Sequence, residues 1–284
     1  MPGFWGRWAI DCRAMESTIA FIGGGNMASA IIGGLRGQGL PAAQVEVVEP
    51  WDEARARLAQ QFGVQAQAAP GEALRRAGVV VWAVKPQTFR EAAQAAAPFC
   101  ADALHLSVAA GIRSDSIAAW LGSERIVRAM PNTPALVGLG MTGLYARPSV
   151  GDADRAQVER IVATTGESVW VDAEPLLDGV TALSGSGPAY VFFFIEAMTR
   201  AGIEMGLTAA QAQRLAVGTF RGAAELAHRS DEPPELLRQR VTSKGGTTYA
   251  AITALQADGV DALLVKAIRA AQARAAELGD EFGR

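Results

Sequence analysis

The sequence predicts an α/β amino-terminal domain, a doubly wound and largely parallel sheet, followed by an all-α carboxy-terminal domain. Three observations carry this. Short apolar runs alternate with helical stretches for about 150 residues, the signature of βα units. A glycine cluster stands between the first apolar run and the first helical stretch. From Pro175 onward strand-length alternation stops and only helical spacing remains. The pattern divides the chain into residues 15–174 and 175–284. Residues 1–14 read as a disordered extension or a misassigned start. Met15 stands just before the first strand, and the leading apolar part is broken by Arg7 and Asp11, which makes a poor signal peptide.

The first strand, Ile19 to Ile22, meets Gly23-Gly24-Gly25-Asn26-Met27-Ala28 and passes into a helix through Leu35. Gly23, Gly25 and Ala28 fill the G-x-G-x-x-A pattern of a Rossmann-type dinucleotide turn. Each residue type has a reason. Gly23 allows the sharp turn, Gly25 lets a pyrophosphate approach the backbone, and Ala28 lets the helix lie close to the strand. The N–H groups at the helix start then face the phosphates.

A second strand, Val45 to Glu49, ends at Pro50, and a helix follows over Asp52 to Phe62. Glu49 lies about 20 residues past the glycine turn, where an acid accepts from both ribose hydroxyls of NAD and repels a 2′-phosphate. A solvated carboxylate at a strand end is the equal alternative. Val64 to Ala66 is expected to be a short strand and Pro70 to Ala77 a helix. Val79 to Val84 is a continuous apolar run, as expected of a strand covered on both faces. Lys85-Pro86 ends it at the carboxyl edge of the sheet, where Lys85 is equally suited to a cofactor phosphate or to solvent.

Helix Thr88–Ala97 and strand Ala103–Val108 come next, then Ala109-Ala110-Gly111 and a helix from Ser114, with Ser114 as its expected N-cap. Strand Arg125–Met130 leads into Pro131-Asn132-Thr133-Pro134, a loop stiffened by two prolines. A short strand near Tyr145, a helix over Asp152–Thr164 and a strand over Ser168–Val171 complete the sheet. In the second half Ala189–Met205 is apolar on most sides, and such a helix is buried all round. The domain is small for so apolar a helix, so it is expected to complete its core by dimerising. Helices Thr208–His228, Glu235–Val241, Thr247–Ala257 and Val260–Leu278 follow.

Composition excludes several classes. The 284 residues carry a net charge of −3, which argues against nucleic acid or an anionic membrane as main partner. No apolar run reaches the length of a membrane span. Cys12 and Cys100 are the only cysteines, too few for a disulfide framework or a metal quartet, and they fit a reducing cytoplasm. Of the two histidines, His105 falls inside a strand and reads as core, and His228 near a helix end reads as surface. No nucleophile elbow stands between strand and helix. Hydride transfer suits this inventory, because the dinucleotide carries the reaction. The strongest polar loop, Val241 to Ile252, places Gly245-Gly246 before Thr247-Thr248 at a helix start. Such a start suits an anion, a carboxylate as well as a phosphate, and a plain capped turn is the alternative. Ser184 to Pro188 is a weaker site of the same kind.

These segments together resemble the pyrroline-5-carboxylate reductase family. The resemblance rests on Phe21–Ala28, Ala83–Pro86, Ala109–Gly111, Arg128–Pro134, Leu183–Tyr190 and Val241–Thr248, in family order from residue 17 to about 279. It implies a carboxy-terminal dimerisation domain like that of 6-phosphogluconate dehydrogenase. It further implies reduction of (S)-1-pyrroline-5-carboxylate to L-proline with NADPH or NADH. It places the substrate carboxylate at Ser243, Gly246 and Thr247, and the Thr248 hydroxyl on the ring nitrogen as the catalytic contact. Gly23, Gly25, Asn26, Met27, Ala28, Val84, Lys85, Pro86, Ala109, Ala110, Gly111 and Asn132 are implied to bind the cofactor, beside Glu49. Many relatives carry small polar or basic residues where this chain has Glu49, so the coenzyme preference stays open. The resemblance also implies intertwined homodimers, often built into decamers, with the substrate site shared between subunits. The rival of similar build, a hydroxyacid dehydrogenase, uses a lysine on the first long interdomain helix, and Ala189–Met205 has none. A different imine reductase is the nearer alternative.

Overall fold

The computed structural model describes Cys12 and residues 17–283, so the expectation for residues 1–14 falls, Cys12 apart, outside the described residues. Eight strands form one sheet: β1 (Thr18–Ile22), β2 (Val45–Val48), β3 (Ala66–Gln67), β4 (Ala77–Trp82), β5 (Leu104–Ser107), β6 (Ile126–Met130), β7 (Gly140–Ala146) and β8 (Gly166–Trp170). Their order is β3-β2-β1-β4-β5-β6-β7-β8. Every neighbouring pair is parallel except β6 and β7. Five helices connect them: α1 (Asn26–Gly37), α2 (Asp52–Phe62), α3 (Pro86–Cys100), α4 (Ser114–Leu121) and α5 (Asp152–Val162).

Strand residues alternate between two buried faces, because successive side chains point to opposite sides. Ile19, Phe21, Val79 and Val81 join Ile32 of α1 and Ile161 of α5 on one face. Ala20, Ile22, Val80 and Trp82 join Phe89 of α3 and Ile117 of α4 on the other. This is the doubly wound sheet that the alternation predicts. His105 sits in it 1% exposed and receives the Trp82 indole N–H on Nδ1 at 3.2 Å. Burial, and secondarily the nearby Arg125 charge, pull its pKa down to about 4. It is therefore a neutral core residue. Burial also pushes the Cys100 thiol up to about 11, and its Sγ donates to the Ala96 carbonyl at 3.2 Å. Neither group is poised for chemistry near neutral pH.

Three local expectations are corrected. Pro70–Ala77 is not an α-helix: a 3₁₀ turn occupies Glu72–Arg76, and Ala77 already pairs as the first residue of β4. Ser114 does not cap α4. Arg113 is the N-cap residue, and Ser114 is the first residue inside the helix. Glu174 does the capping from afar, accepting the Ser114 N–H at 2.6 Å and the Ser114 hydroxyl at 2.7 Å. Its Oε1 also pairs with buried Arg128 at 2.8 Å. The short strand near Tyr145 is the seven-residue β7.

Beyond β8 come α6 (Leu176–Val180) and a π turn over Thr181–Gly185. They are followed by α7 (Gly187–Glu204), α8 (Ala209–His228), α9 (Pro234–Arg240), α10 (Thr247–Ala257) and α11 (Val260–Phe282). The chain groups into two compact units, one running through Gly185 and including Gln272–Arg284, the other Ser186–Ala271. In the second unit α7 and α8 form an antiparallel hairpin. Thr208 caps α8 through a reciprocal capping box with Gln211. A Cβ on Gly202 would lie 2.8 Å from Ala212 Cβ, so the two helices approach closely. Within a single chain α7 is not buried all round: Phe192 is 59% and Phe193 67% exposed. Leu215, Leu226 and Leu263 are exposed as well. These exposed apolar side chains fit the expectation that this half completes its core with a second copy.

Candidate active site

Parallel strands end on the same edge, so the carboxyl ends of β1, β4, β5 and β6 bring four sequence-predicted segments together within the first unit. The glycine turn follows β1. Gly23 has φ +99°, a conformation that L side chains rarely adopt. Its N–H donates to the Val48 carbonyl at 2.8 Å, and Ala83 N–H donates to the Ile22 carbonyl at 2.8 Å. The turn is thereby tied to the ends of β2 and β4. A Cβ on Gly23 would stand 2.6 Å from the Ala83 carbonyl oxygen. At Gly25 the surroundings are the reverse: a Cβ would meet nothing within 4 Å. Gly25 is the N-cap of α1, with no side-chain cap and no acid in the first turn. The leading N–H groups of α1 have no intrahelical acceptor, as at any helix start. The sequence supplies an anion cradle with room in front of it, which fits a dinucleotide pyrophosphate.

Glu49 is not a solvated strand end. It is 6% exposed, and its carboxylate shapes the turn. Oε2 accepts the Gly24 N–H at 2.7 Å, and Oε1 accepts the Trp51 N–H at 3.0 Å. Arg55 donates to the Glu49 carbonyl at 2.9 Å, and Arg57 reaches the Gly24 carbonyl at 3.4 Å. A carboxylate has about four acceptor positions, so two remain beyond the backbone contacts. The sequence marked Glu49 by its spacing, but not Arg57, which only the fold brings to the glycine turn.

At the end of β4, Val84 leans toward Gly23, its Cγ1 3.1 Å from where a Cβ would be. Lys85 is exposed and is the N-cap residue of α3, with Pro86 in the first turn. At the end of β5, Ala109 is buried, Ala110 is exposed, and Gly111 has φ +73°. Leu278 and Phe282 of α11 back this loop, within van der Waals reach of a Cβ on Gly111. After β6, Asn132 has its carboxamide engaged inside the protein, by Met141 and Ser184.

In the second unit the Val241–Thr248 segment folds as a tight turn into α10. Gly245 has φ +77°, and Gly246 N–H donates to the Ser243 carbonyl at 3.0 Å. Gly246 is the N-cap, extended and without a side-chain cap, and Thr247 and Thr248 open the helix. Ala250 N–H is the first of the α10 amides bonded back, to the Gly246 carbonyl at 3.1 Å. The Thr248 hydroxyl, half-buried, has no hydrogen-bond partner among the described residues. Donors and a hydroxyl are thus gathered at one helix start. Among the described residues there is no His/Cys/Asp/Glu group able to hold a metal ion, and no helix is long and apolar enough to cross a membrane.

Comparison with known proteins gives two family matches. Residues 174–278 match pyrroline-5-carboxylate reductase dimerisation, and residues 18–111 match NADP oxidoreductase coenzyme F420-dependent. The chain is 47% identical over 268 residues to a pyrroline-5-carboxylate reductase of Pseudomonas aeruginosa, covering 94% of this chain and 98% of that protein. A solved pyrroline-5-carboxylate reductase of Coxiella burnetii superposes with TM-score 0.88 at 38% identity, covering 92% of this chain and 98% of that one. A Plasmodium falciparum pyrroline carboxylate reductase with NADP bound superposes with TM-score 0.82 at 27% identity, covering 93% and 98%.

Proposed function

The chain belongs to the pyrroline-5-carboxylate reductase family, and we propose that its two helix starts divide that reaction, α1 holding the dinucleotide and α10 the imino acid. It reduces (S)-1-pyrroline-5-carboxylate to L-proline with NAD(P)H and works as a homo-oligomer. The observation that carries our division is the uncapped start of α10, with Thr247 and Thr248 at its first two positions.

When bound, the nicotinamide supplies a hydride to the imine carbon. The rest falls to side chains and backbone. The N–H groups that open α1, in the turn formed by Asn26, Met27 and Ala28, would hold the pyrophosphate beside Gly25. Val84, Lys85 and Pro86 would contact the dinucleotide, and Ala109, Ala110 and Gly111 would leave room for its nicotinamide end. Ser243, Gly246 and Thr247 hold the substrate carboxylate on the dipole of α10. The Thr248 hydroxyl hydrogen-bonds the ring nitrogen and orients the C=N bond. Solvent supplies the proton to the imine nitrogen and the resulting iminium accepts hydride readily, so no side-chain acid is required and positioning carries most of the rate. In our reading residues 175–284 form the substrate and dimerisation domain, the assembly is a dimer that can build to a decamer, and the enzyme acts in the cytoplasm.

Glu49 sets the coenzyme. Its negative charge, with acceptor positions left over, favours ribose hydroxyls and opposes a 2′-phosphate. The test is oxidation of NADH and of NADPH by pyrroline-5-carboxylate, before and after Glu49→Ser. The parent is expected to turn over with both substrates present and to favour NADH. The variant's NADH-to-NADPH preference is expected to fall by about tenfold or more, roughly 1.4 kcal/mol. Absence of oxidation in the parent refutes the function, and an unmoved ratio removes Glu49 from coenzyme choice.

A further inference from the structure

Asn132 stands at the end of β6, at the edge where the cofactor segments gather, yet its carboxamide closes a ring of hydrogen bonds within the protein. Oδ1 accepts the Met141 N–H at 2.9 Å. Nδ2 donates to the Ser184 hydroxyl at 3.1 Å and to the Ser184 carbonyl at 3.3 Å. The Ser184 hydroxyl donates in turn to the Met141 carbonyl at 3.2 Å. Each donor of the ring faces an acceptor, and Nδ2 lies within reach of both Ser184 oxygens.

The ring joins three stretches that are far apart in sequence: the Pro131–Pro134 loop, the start of β7, and the π turn Thr181–Gly185. Beside it, a Cβ on Gly185 would stand 2.7 Å from Met130 Cε, so the π turn rests on the last residue of β6. A π turn is a wide and uncommon winding, frequent at functional sites. Directly after it the chain passes into the second unit.

We propose that Asn132 and Ser184 are positioning residues for the reduction: the ring locks the loop after β6 to the π turn, and neither side chain is a ligand of the dinucleotide. This rests on the imine-reduction reading above. A clamp of this kind acts on turnover more than on substrate affinity, because it fixes geometry without touching the substrate.

The experiment measures kcat, both KM values and the melting temperature for Ser184→Ala, Ser184→Thr, Asn132→Ala and the double alanine variant. Ser184→Ala is expected to lower kcat about tenfold, with KM for pyrroline-5-carboxylate within about twofold, as for a small misplacement of reacting groups. Ser184→Thr keeps the hydroxyl and is expected to restore the parental kcat. The double variant is expected to be no slower than Asn132→Ala alone, because one ring is broken in both. A kcat for Ser184→Ala within twofold of the parent, or a tenfold loss that Ser184→Thr shares, overturns the clamp while leaving imine reduction in place. A parent that reduces no imine overturns both.

Discussion

Gly23→Ala is expected to abolish dinucleotide binding at working concentrations, raising the dissociation constant for NADPH and NADH by at least about a hundredfold, roughly 3 kcal/mol. Two costs add. An L residue at φ +99° sits in a region disfavoured by roughly 1–2 kcal/mol. The new methyl would also stand 2.6 Å from the Ala83 carbonyl oxygen, which is backbone and cannot swing away. Ala83 is held by its own N–H bond to Ile22, and Gly23 by its bond to Val48, so relief must come from moving the whole turn. The melting temperature should fall with it. Gly25→Ala is the control that separates fold from binding. Nothing lies within 4 Å of its Cβ, so the protein should melt as the parent does while dinucleotide affinity still falls. Calorimetric titration of both variants checks this. Parental affinity in Gly25→Ala would mean that the open space there is not where the pyrophosphate lies.

Thr248→Ala is expected to lower kcat/KM tenfold to a hundredfold, about 1.4–2.7 kcal/mol for one lost hydrogen bond to the reacting nitrogen. The hydroxyl has no partner among the described residues, so its removal strands no donor or acceptor in the protein, and the melting temperature should hold. With the carboxylate assigned to Ser243, Gly246 and Thr247, as proposed, the loss should fall chiefly on kcat. Thr248→Ser, which retains the hydroxyl, should recover most of the rate. Steady-state kinetics of the three proteins decide it, and an unchanged kcat/KM in Thr248→Ala removes the residue from the mechanism.

Much of this was legible before any coordinates. Gly23 needed positive φ, and the apolar run through Val79–Trp82 needed cover on both faces, because local chemistry permits little else. The Thr208 cap of α8 is of the local kind, since its partner Gln211 is three residues away. Ser114 was misread for the opposite reason: its partner Glu174 is 60 residues away, and no local pattern reports it. The antiparallel entry of β7 and the π turn at Thr181–Gly185 were likewise invisible, since the first depends on pairing with β6 and the second packs on Met130, Asn132 and Met141, all distant in sequence. Helix α7 showed its apolar character in sequence, but spacing alone does not distinguish a core built within one chain from one completed by another. The same limit hid the Asn132–Ser184 ring. Each residue stood in a marked segment, and only the fold shows that they bind each other.

The central claim is that this chain delivers hydride to the imine carbon of a pyrroline held by its carboxylate. The most direct measurement is to run the reaction with NADPH or NADH deuterated at the transferring position of nicotinamide C4 and to analyse the proline by NMR. The account predicts one deuterium per proline, on the ring CH₂ next to nitrogen and remote from the carboxylate. Unlabelled proline, or label on the carboxylate-bearing carbon, would contradict it.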